Sequence, residues 1–224
     1  MSDDRPGVRR VPFATAAERE RNAAGVAEHL RSGGLVAYPT ETVYGFGCAL
    51  RRDALAALTA LKSREGVKPF LLLVPEAAEL RGVRWTDSAR RLAAAFWPGP
   101  LTLALPAEAG AFPPGVLAPG GTVAARVSPH PAVRAILEAL PRPITSTSAN
   151  LPGGTPARDA DEAAAVVLQL GAAGSVLVLD GGRLPASPPS TLVDCSREPP
   201  CVLRLGAVPL EALRGAVPEI DEPS

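Results

Sequence analysis

Lysine is nearly absent from this chain. Of 23 basic side chains in 224 residues, only Lys62 and Lys68 are lysines, and the remaining 21 are arginines. Histidine is as scarce: His29 and His130 stand far apart, without metal-ligand spacing. The three cysteines, Cys48, Cys195 and Cys201, form no CxxC pair. A disulfide framework and a Cys-rich zinc site are both disfavoured. No Walker A pattern, HExxH, or GxGxxG after a first strand occurs. No apolar run approaches the roughly eighteen residues of a membrane span, and MSDDRPGVRRVPF at the N-terminus has no apolar stretch of the signal-peptide kind. A cytoplasmic protein with no membrane association is expected. Net charge is zero, which argues against a module that works by coating nucleic acid, since such binding rests on neutralising many phosphates. A small cationic cleft balanced by acidic surface is still allowed.

The 46% hydrophobic content is enough to bury a real core. No repeat or convincing linker divides the chain, so a single domain over 1–224 is expected, with its core at about 20–210 and short flexible tails. Apolar runs alternate with Ala/Leu/Arg stretches of helical period. Helices are expected at 16–32 (stopped by Gly33-Gly34), from an N-cap at Asp53 to about Arg64, and at 87–96, 131–140 and 159–170. Strands are expected at 35–38, 70–74, 101–105, 122–128, 143–146 and 176–180, with TLVDC and CVLRL as a closing pair; residues 106–120 read as a surface loop. Interleaved elements make the class α/β, and strand-to-strand connections without helices point to a mixed parallel and antiparallel sheet.

Three stretches depart from this background. AYPTETVYGFG, residues 37–47, holds both tyrosines, is crowded with hydroxyls (Thr40, Thr42 and Tyr44 among them) and has one carboxylate, Glu41. A strand end opening into a polar turn is a common ligand site in α/β proteins, although a plain hairpin with Thr and Tyr at β-favourable positions also fits. Lys62, Arg64 and Lys68 place three cations across a helix end and the following loop. A helix dipole favours cations there, but arginine would serve equally well, so a polyanion site, with a triphosphate as the natural occupant, explains the lysines better. PITSTSANLPGGTP, residues 143–156, sets Thr145, Ser146, Thr147, Ser148 and Asn150 at one strand end; these can bind a phosphate or carboxylate through neutral donors, or simply cap and turn the chain.

Taken in order, YPTETVYGFG, LKSREGVKPFLLLV, FWPGPLTLAL, VAARVSPHP, TSTSAN and STLVD…LRLG resemble the YrdC-type L-threonylcarbamoyladenylate synthases, over roughly residues 20–210. The resemblance implies a twisted mixed sheet with flanking helices and a cationic concave groove. It implies condensation of L-threonine, bicarbonate or CO2, and ATP to threonylcarbamoyladenylate and pyrophosphate, with Mg2+ bound together with ATP and no protein-ligated metal. The product would pass to the tRNA threonylcarbamoyl-transfer machinery for N6-threonylcarbamoyladenosine formation, and a contact with tRNA or other double-stranded RNA belongs to the same expectation.

By the same resemblance, Lys62 and Arg64 are catalytic cations on the phosphates, and Lys68, Ser146, Ser148, Asn150, Ser190 and Arg204 complete the ATP site. Thr40, Tyr44, Arg126 and Thr147 fall on the threonine side. Two motifs depart from the family's pattern: KxRP reads KSRE, with Glu65 in place of proline, and LRPG reads LRLG. The chain ends soon after LRLG, as in the short, single-domain type. Two other readings stand beside the synthase: a non-catalytic RNA- or ribosome-associated protein of the same fold, and a carbamoyl-transfer domain of the hydrogenase-maturation kind. The second sits poorly with a chain lacking room for acylphosphatase and zinc-finger parts.

Overall fold

The computed structural model of the chain describes residues 7–62 and 68–222. In chain order the elements are β1 (Arg10–Pro12), α1 (Ala16–Arg31), β2 (Leu35–Pro39), β3 (Tyr44–Gly47), α2 (Arg52–Leu61), β4 (Leu71–Leu73), a 3-10 turn (Ala77–Glu79), α3 (Asp87–Phe96), β5 (Leu101–Pro106), β6 (Thr122–Arg126), α4 (Pro131–Ala139), β7 (Ile144–Ser148), α5 (Ala160–Gln169), β8 (Val176–Asp180), β9 (Thr191–Asp194), β10 (Cys201–Arg204) and α6 (Leu210–Ala216). The strands form one sheet in the order β1-β8-β2-β3-β7-β4-β6-β5-β9-β10. Pairs β1–β8, β2–β8, β4–β6 and β5–β9 are parallel and the others antiparallel, so the sheet is mixed as expected.

Local chemistry sets most boundaries. Thr15 and Glu18 close a reciprocal capping box at the start of α1, and Gly33 after its end takes a positive φ of 94°. Thr86, His130 and Asp159 each accept a backbone N–H at the starts of α3, α4 and α5. The expected cap at Asp53 is corrected: α2 starts at Arg52, and its N-cap, two residues before Asp53, is Arg51, which gives no side-chain cap. Asp53 lies inside the first turn, where its carboxylate takes the Arg51 guanidinium at 2.6 and 3.1 Å and the Ala54 N–H at 2.9 Å. The same helix ends at Leu61 rather than near Arg64, with Lys62 as its C-cap.

The packed region extends beyond residues 20–210 at both ends. Strand β1 adds to the edge beside β8, and Phe13 behind it is fully buried. At the other end α6 brings Leu213 into the core, followed by Val217 and Ile220.

Strand alternation divides the core between the two faces of the sheet. Leu101, Leu103 and Leu105 of β5, Val123 and Ala125 of β6, Val193 of β9 and Val202 of β10 join one large cluster with residues of α2, α3, α5 and α6. On the opposite face, Val36 and Tyr38 of β2, Leu177 and Leu179 of β8, Leu73 and Ile144 pack under α1 and α4 through Leu30, Val133, Ile136 and Leu137. Each such aliphatic side chain contributes about 1.5–3 kcal/mol by burial. Helices α1 and α4 cover only the β2–β8 side of this face. Over β6, β5, β9 and β10 the same face carries Ala124, Arg126, Thr102, Leu192 and Arg204, and there the surface opens into a groove.

Candidate active-site groove

The groove encloses about 690 Å3 and crosses the sheet from the turn after β2 to β10. Of the expected residues, Thr40, Arg126, Ser146, Thr147, Ser148, Ser190 and Arg204 line it. Arg158, Thr102, Thr155 and Ser187 line it as well, and no carboxylate does so among the described residues. Three guanidiniums and a series of hydroxyls therefore face one space, a set of donors suited to an anion rather than to a metal. Another cavity, about 720 Å3, lies beside Trp85 and Trp97; it is lined mostly by apolar and aromatic groups and carries none of the expected residues.

Residues 37–47 form the expected hairpin, and its turn lines the groove through Thr40, Thr42 and Val43. Strands β2 and β3 pair in antiparallel register, and the Thr40 hydroxyl closes the connecting turn by donating to Val43 O at 2.7 Å. Gly47 is required by close approach: a Cβ there would lie 2.1 Å from Thr145 O on β7. Tyr44 lies behind the groove and does not line it. Its ring is fully buried, and its hydroxyl donates to Gly182 O at 2.8 Å and accepts the Gly181 N–H at 3.1 Å. Burial raises its pKa, so it stays a neutral phenol.

Lys62 reaches across to the end of β7. Its ammonium donates to Ser148 O at 3.0 Å, Asn150 O at 2.8 Å and Asn150 Oδ1 at 3.0 Å, and sits 5.8 Å above the centre of the Phe46 ring. Asn150 is the hub of this corner. Its Oδ1 also accepts from the Ser148 hydroxyl at 2.6 Å, while its amide group donates to Leu151 O at 2.8 Å and Gly154 O at 2.9 Å. Both amide N–H groups are thus spent on the 150–154 turn, and Asn150 meets Lys62 and Ser148 as an acceptor. The residues that make this turn also hold the Lys62 ammonium. Lys68 is exposed beside Pro69, a groove-lining residue. Arg64, the other expected catalytic cation, and Glu65 in the altered KSRE motif lie outside the described residues.

At the far end, the Arg204 guanidinium holds Ser190 through its carbonyl at 2.9 and 3.2 Å and its hydroxyl at 3.3 Å, and that hydroxyl lies 2.9 Å from Thr102 Oγ1. Desolvation, and then the nearby Arg126 charge, lower the Arg204 pKa, so two like charges share the groove. The LRLG departure leaves this turn in place. Leu205 is exposed, and Gly206 donates to Thr191 Oγ1 at 2.9 Å in a space where a Cβ would meet Pro189 O at 2.1 Å.

Arg126, 3% exposed, pairs with Glu41 at 3.1 Å, and Glu41 in turn accepts the Ser128 hydroxyl. Sequence reasoning gave Glu41 no role, although it is the one carboxylate in a hydroxyl-rich stretch. Arg158 gave no signal among so many arginines; its Nη2 donates to Leu184 O at 2.9 Å, while its buried Nε has no partner.

These features define an α/β protein with a groove of arginines and hydroxyls laid over the uncovered half of a mixed sheet. Residues 28–206 match the model of the Sua5, YciO and YrdC proteins, described as telomere recombination, and the chain belongs to that family. It is 37% identical over 185 residues to the threonylcarbamoyl-AMP synthase of Thiobacillus denitrificans, covering 81% of this chain and 95% of that one. It is 36% identical over 205 residues to the protein of the same name from Pyrococcus abyssi, covering 89% of this chain. The chain spans 57% of the length of the Pyrococcus protein and 56% of a Bacillus subtilis relative. Among solved structures, P. abyssi Sua5 complexed with L-threonine superposes with a TM-score of 0.85 at 31% identity, over 96% of this chain and 62% of that one. Escherichia coli YciO superposes with a TM-score of 0.79 at 26% identity, over 92% and 98%.

Proposed function

We propose that this chain forms L-threonylcarbamoyladenylate from L-threonine, CO2 derived from bicarbonate, and ATP, releasing pyrophosphate. The observation that carries this reading is the single groove. Ser148, the Ser190–Arg204 end and Arg126 line it, and Lys62 and Asn150 bind Ser148 from beside it, on a fold that, in the Pyrococcus relative, is seen with L-threonine.

In this reading the threonine amine attacks CO2, loses a proton and becomes an N-carboxylate. A carboxylate oxygen then attacks the α-phosphorus, and the bond from that phosphorus to the bridging oxygen breaks as pyrophosphate leaves. Negative charge grows on the bridging and leaving oxygens. Lys62, with Arg64 and Lys68, would stabilise that charge, and Ser146, Ser148, Ser190 and Arg204 would hold the nucleotide. Asn150 takes part by holding Lys62 and Ser148 in place. Arg126, Thr40 and Thr147 would receive threonine, with Tyr44 supporting that wall from behind. No nucleophilic side chain is required; positioning and electrostatics carry the reaction. The groove's hydroxyls and guanidiniums do not form a metal-ligand set, so Mg2+ would arrive as the ATP complex, supplying charge neutralisation on the phosphates.

The product, a mixed anhydride, suits onward transfer of the threonylcarbamoyl group to a tRNA adenosine by separate machinery in the cytoplasm, and tRNA contact would belong to that step. Incubation with ATP, Mg2+, bicarbonate and L-threonine tests the reading. Pyrophosphate release that requires both threonine and bicarbonate is expected. ATP binding without release would overturn it and favour a non-catalytic RNA-associated role.

A further inference from the structure

The ion pair beneath the groove is more than a buried charge pair. Arg126 Nε lies 3.1 Å from Glu41 Oε1, with the two side chains 4% and 13% exposed. The second carboxylate oxygen of Glu41 accepts the Ser128 hydroxyl. Ser128 Oγ also accepts the His130 N–H at 3.2 Å, which fixes it at the start of α4. Glu41 stands in the turn between β2 and β3, while Arg126 ends β6 and Ser128 follows it. One carboxylate oxygen is therefore hydrogen-bonded to Ser128, and the other stands in ion-pair contact with Arg126 Nε without a hydrogen bond between them.

A guanidinium has five N–H donors in a rigid planar fork. Glu41 meets the Nε edge alone. The terminal nitrogens of Arg126 have no hydrogen bond to protein among the described residues, and Arg126 lines the groove. A carboxylate held against the inner edge by charge draws the guanidinium toward the turn after β2 and leaves the outer edge for a second carboxylate. It also compensates a charge that burial would otherwise penalise when the groove is empty.

We infer that Glu41 is a positioning residue: with Ser128 behind it, it aims the outer edge of Arg126 at the carboxylate of the amino-acid substrate. This rests on the functional reading above, in which Arg126 receives threonine. It predicts a selective defect, because ATP and the amino acid's other groups do not depend on Arg126 orientation.

The test compares wild type with Glu41→Ala, Glu41→Gln and Ser128→Ala, using pyrophosphate release for kinetics and calorimetry for binding of L-threonine and L-threoninamide, which lacks the carboxylate. Glu41→Ala should raise the threonine KM about tenfold, the scale of one lost charge-assisted hydrogen bond, with the ATP KM and the threoninamide affinity moving less than about twofold. Glu41→Gln, which keeps an acceptor oxygen, should recover part of the loss. Ser128→Ala should show the same selectivity at about threefold, since it loosens the carboxylate without removing it, and it carries the test if Glu41→Ala fails to fold. Unchanged threonine KM in the folded variants, or equal losses for threonine, threoninamide and ATP, overturns the assignment. A wild-type chain that binds no L-threonine overturns the functional reading and the assignment with it.

Discussion

Replacing Lys62 by arginine keeps the charge and changes only its shape, in a chain that uses arginine for nearly every other cation. The structure specifies what the change should do. Three acceptors, Ser148 O, Asn150 O and Asn150 Oδ1, converge on one nitrogen at 2.8–3.0 Å. A compact ammonium can meet convergent acceptors from one point, whereas a planar fork spreads its donors outward and cannot. Arginine at this site would keep one of the three contacts and push against the β7 end. Each lost charge-assisted hydrogen bond is worth about 1.5–3 kcal/mol, so if one of them supports the reacting geometry the rate falls about 10- to 100-fold. Lys62→Ala also removes the cation from the developing phosphate charge, and about 10²–10³-fold is expected. The assay is threonine- and bicarbonate-dependent pyrophosphate release at saturating ATP, with thermal melting as the control for folding. Lys62→Arg activity within about threefold of wild type would refute the argument that shape, not charge, selects lysine here.

Tyr44→Phe should cost about 1–3 kcal/mol in denaturant stability, because Gly182 O and Gly181 N–H lose their buried partner, and should leave the threonine KM unchanged; a large KM rise would place the hydroxyl in the groove instead. Burial pushes the thiol pKa of Cys48 up to about 11 and that of Cys195 up to about 12, so both remain protonated at pH 8. Iodoacetamide on the native protein should add one label, at Cys201, as read by mass spectrometry. His130 has its pKa lowered below 6.5, first by desolvation, and its neutral Nδ1 accepts the Ala132 N–H at 3.2 Å. The unfolded chain then binds the proton first as pH falls below 6.5, and stability drops through that window. His130→Asn, which retains a capping acceptor, should flatten the part of the melting-temperature profile between about pH 7 and 5 that wild type shows.

The elements that were legible in the sequence are those with strong local signals. The capped helices α1, α3, α4 and α5 and the long apolar strands β2, β5 and β8 fall where caps, glycines and alternation put them. Strand β1 was not legible: three residues ending in proline give no period, and only pairing with a strand some 168 positions away makes them a strand. Helix α6 has seven residues, no side-chain cap and a glycine near its end, and it stands because Leu213 is buried. Scarcity marked the lysine stretch and a dense polar strand end marked Asn150, but composition could not say that they bind each other. Nor could it say that the amide of Asn150 is spent on its own turn. Tyr44 stands behind the groove for a related reason. Strand β3 is buried along its whole length, so alternation does not send its hydroxyl to the groove.

The groove exists because one face of the sheet changes character partway across. On the β2–β8 side the positions beneath α1 and α4 are Val36, Tyr38, Leu177 and Leu179, which need a helix over them. On β5, β6 and β10 the positions of the same face are Thr102, Ala124, Arg126 and Arg204, which cannot supply a second apolar layer. A helix laid there would bury three hydrogen-bonding side chains against apolar surface, at about 1–3 kcal/mol or more for each unpaired group. Helical cover therefore ends where polar residues begin, and in the proposed function a bound anion would supply what those residues lack. By this argument, replacing Thr102 with valine should weaken ATP binding, because Ser190 loses its 2.9 Å partner. Equal ATP affinity in wild type and Thr102→Val, measured by calorimetry, would show that the polar face is not what the nucleotide reads.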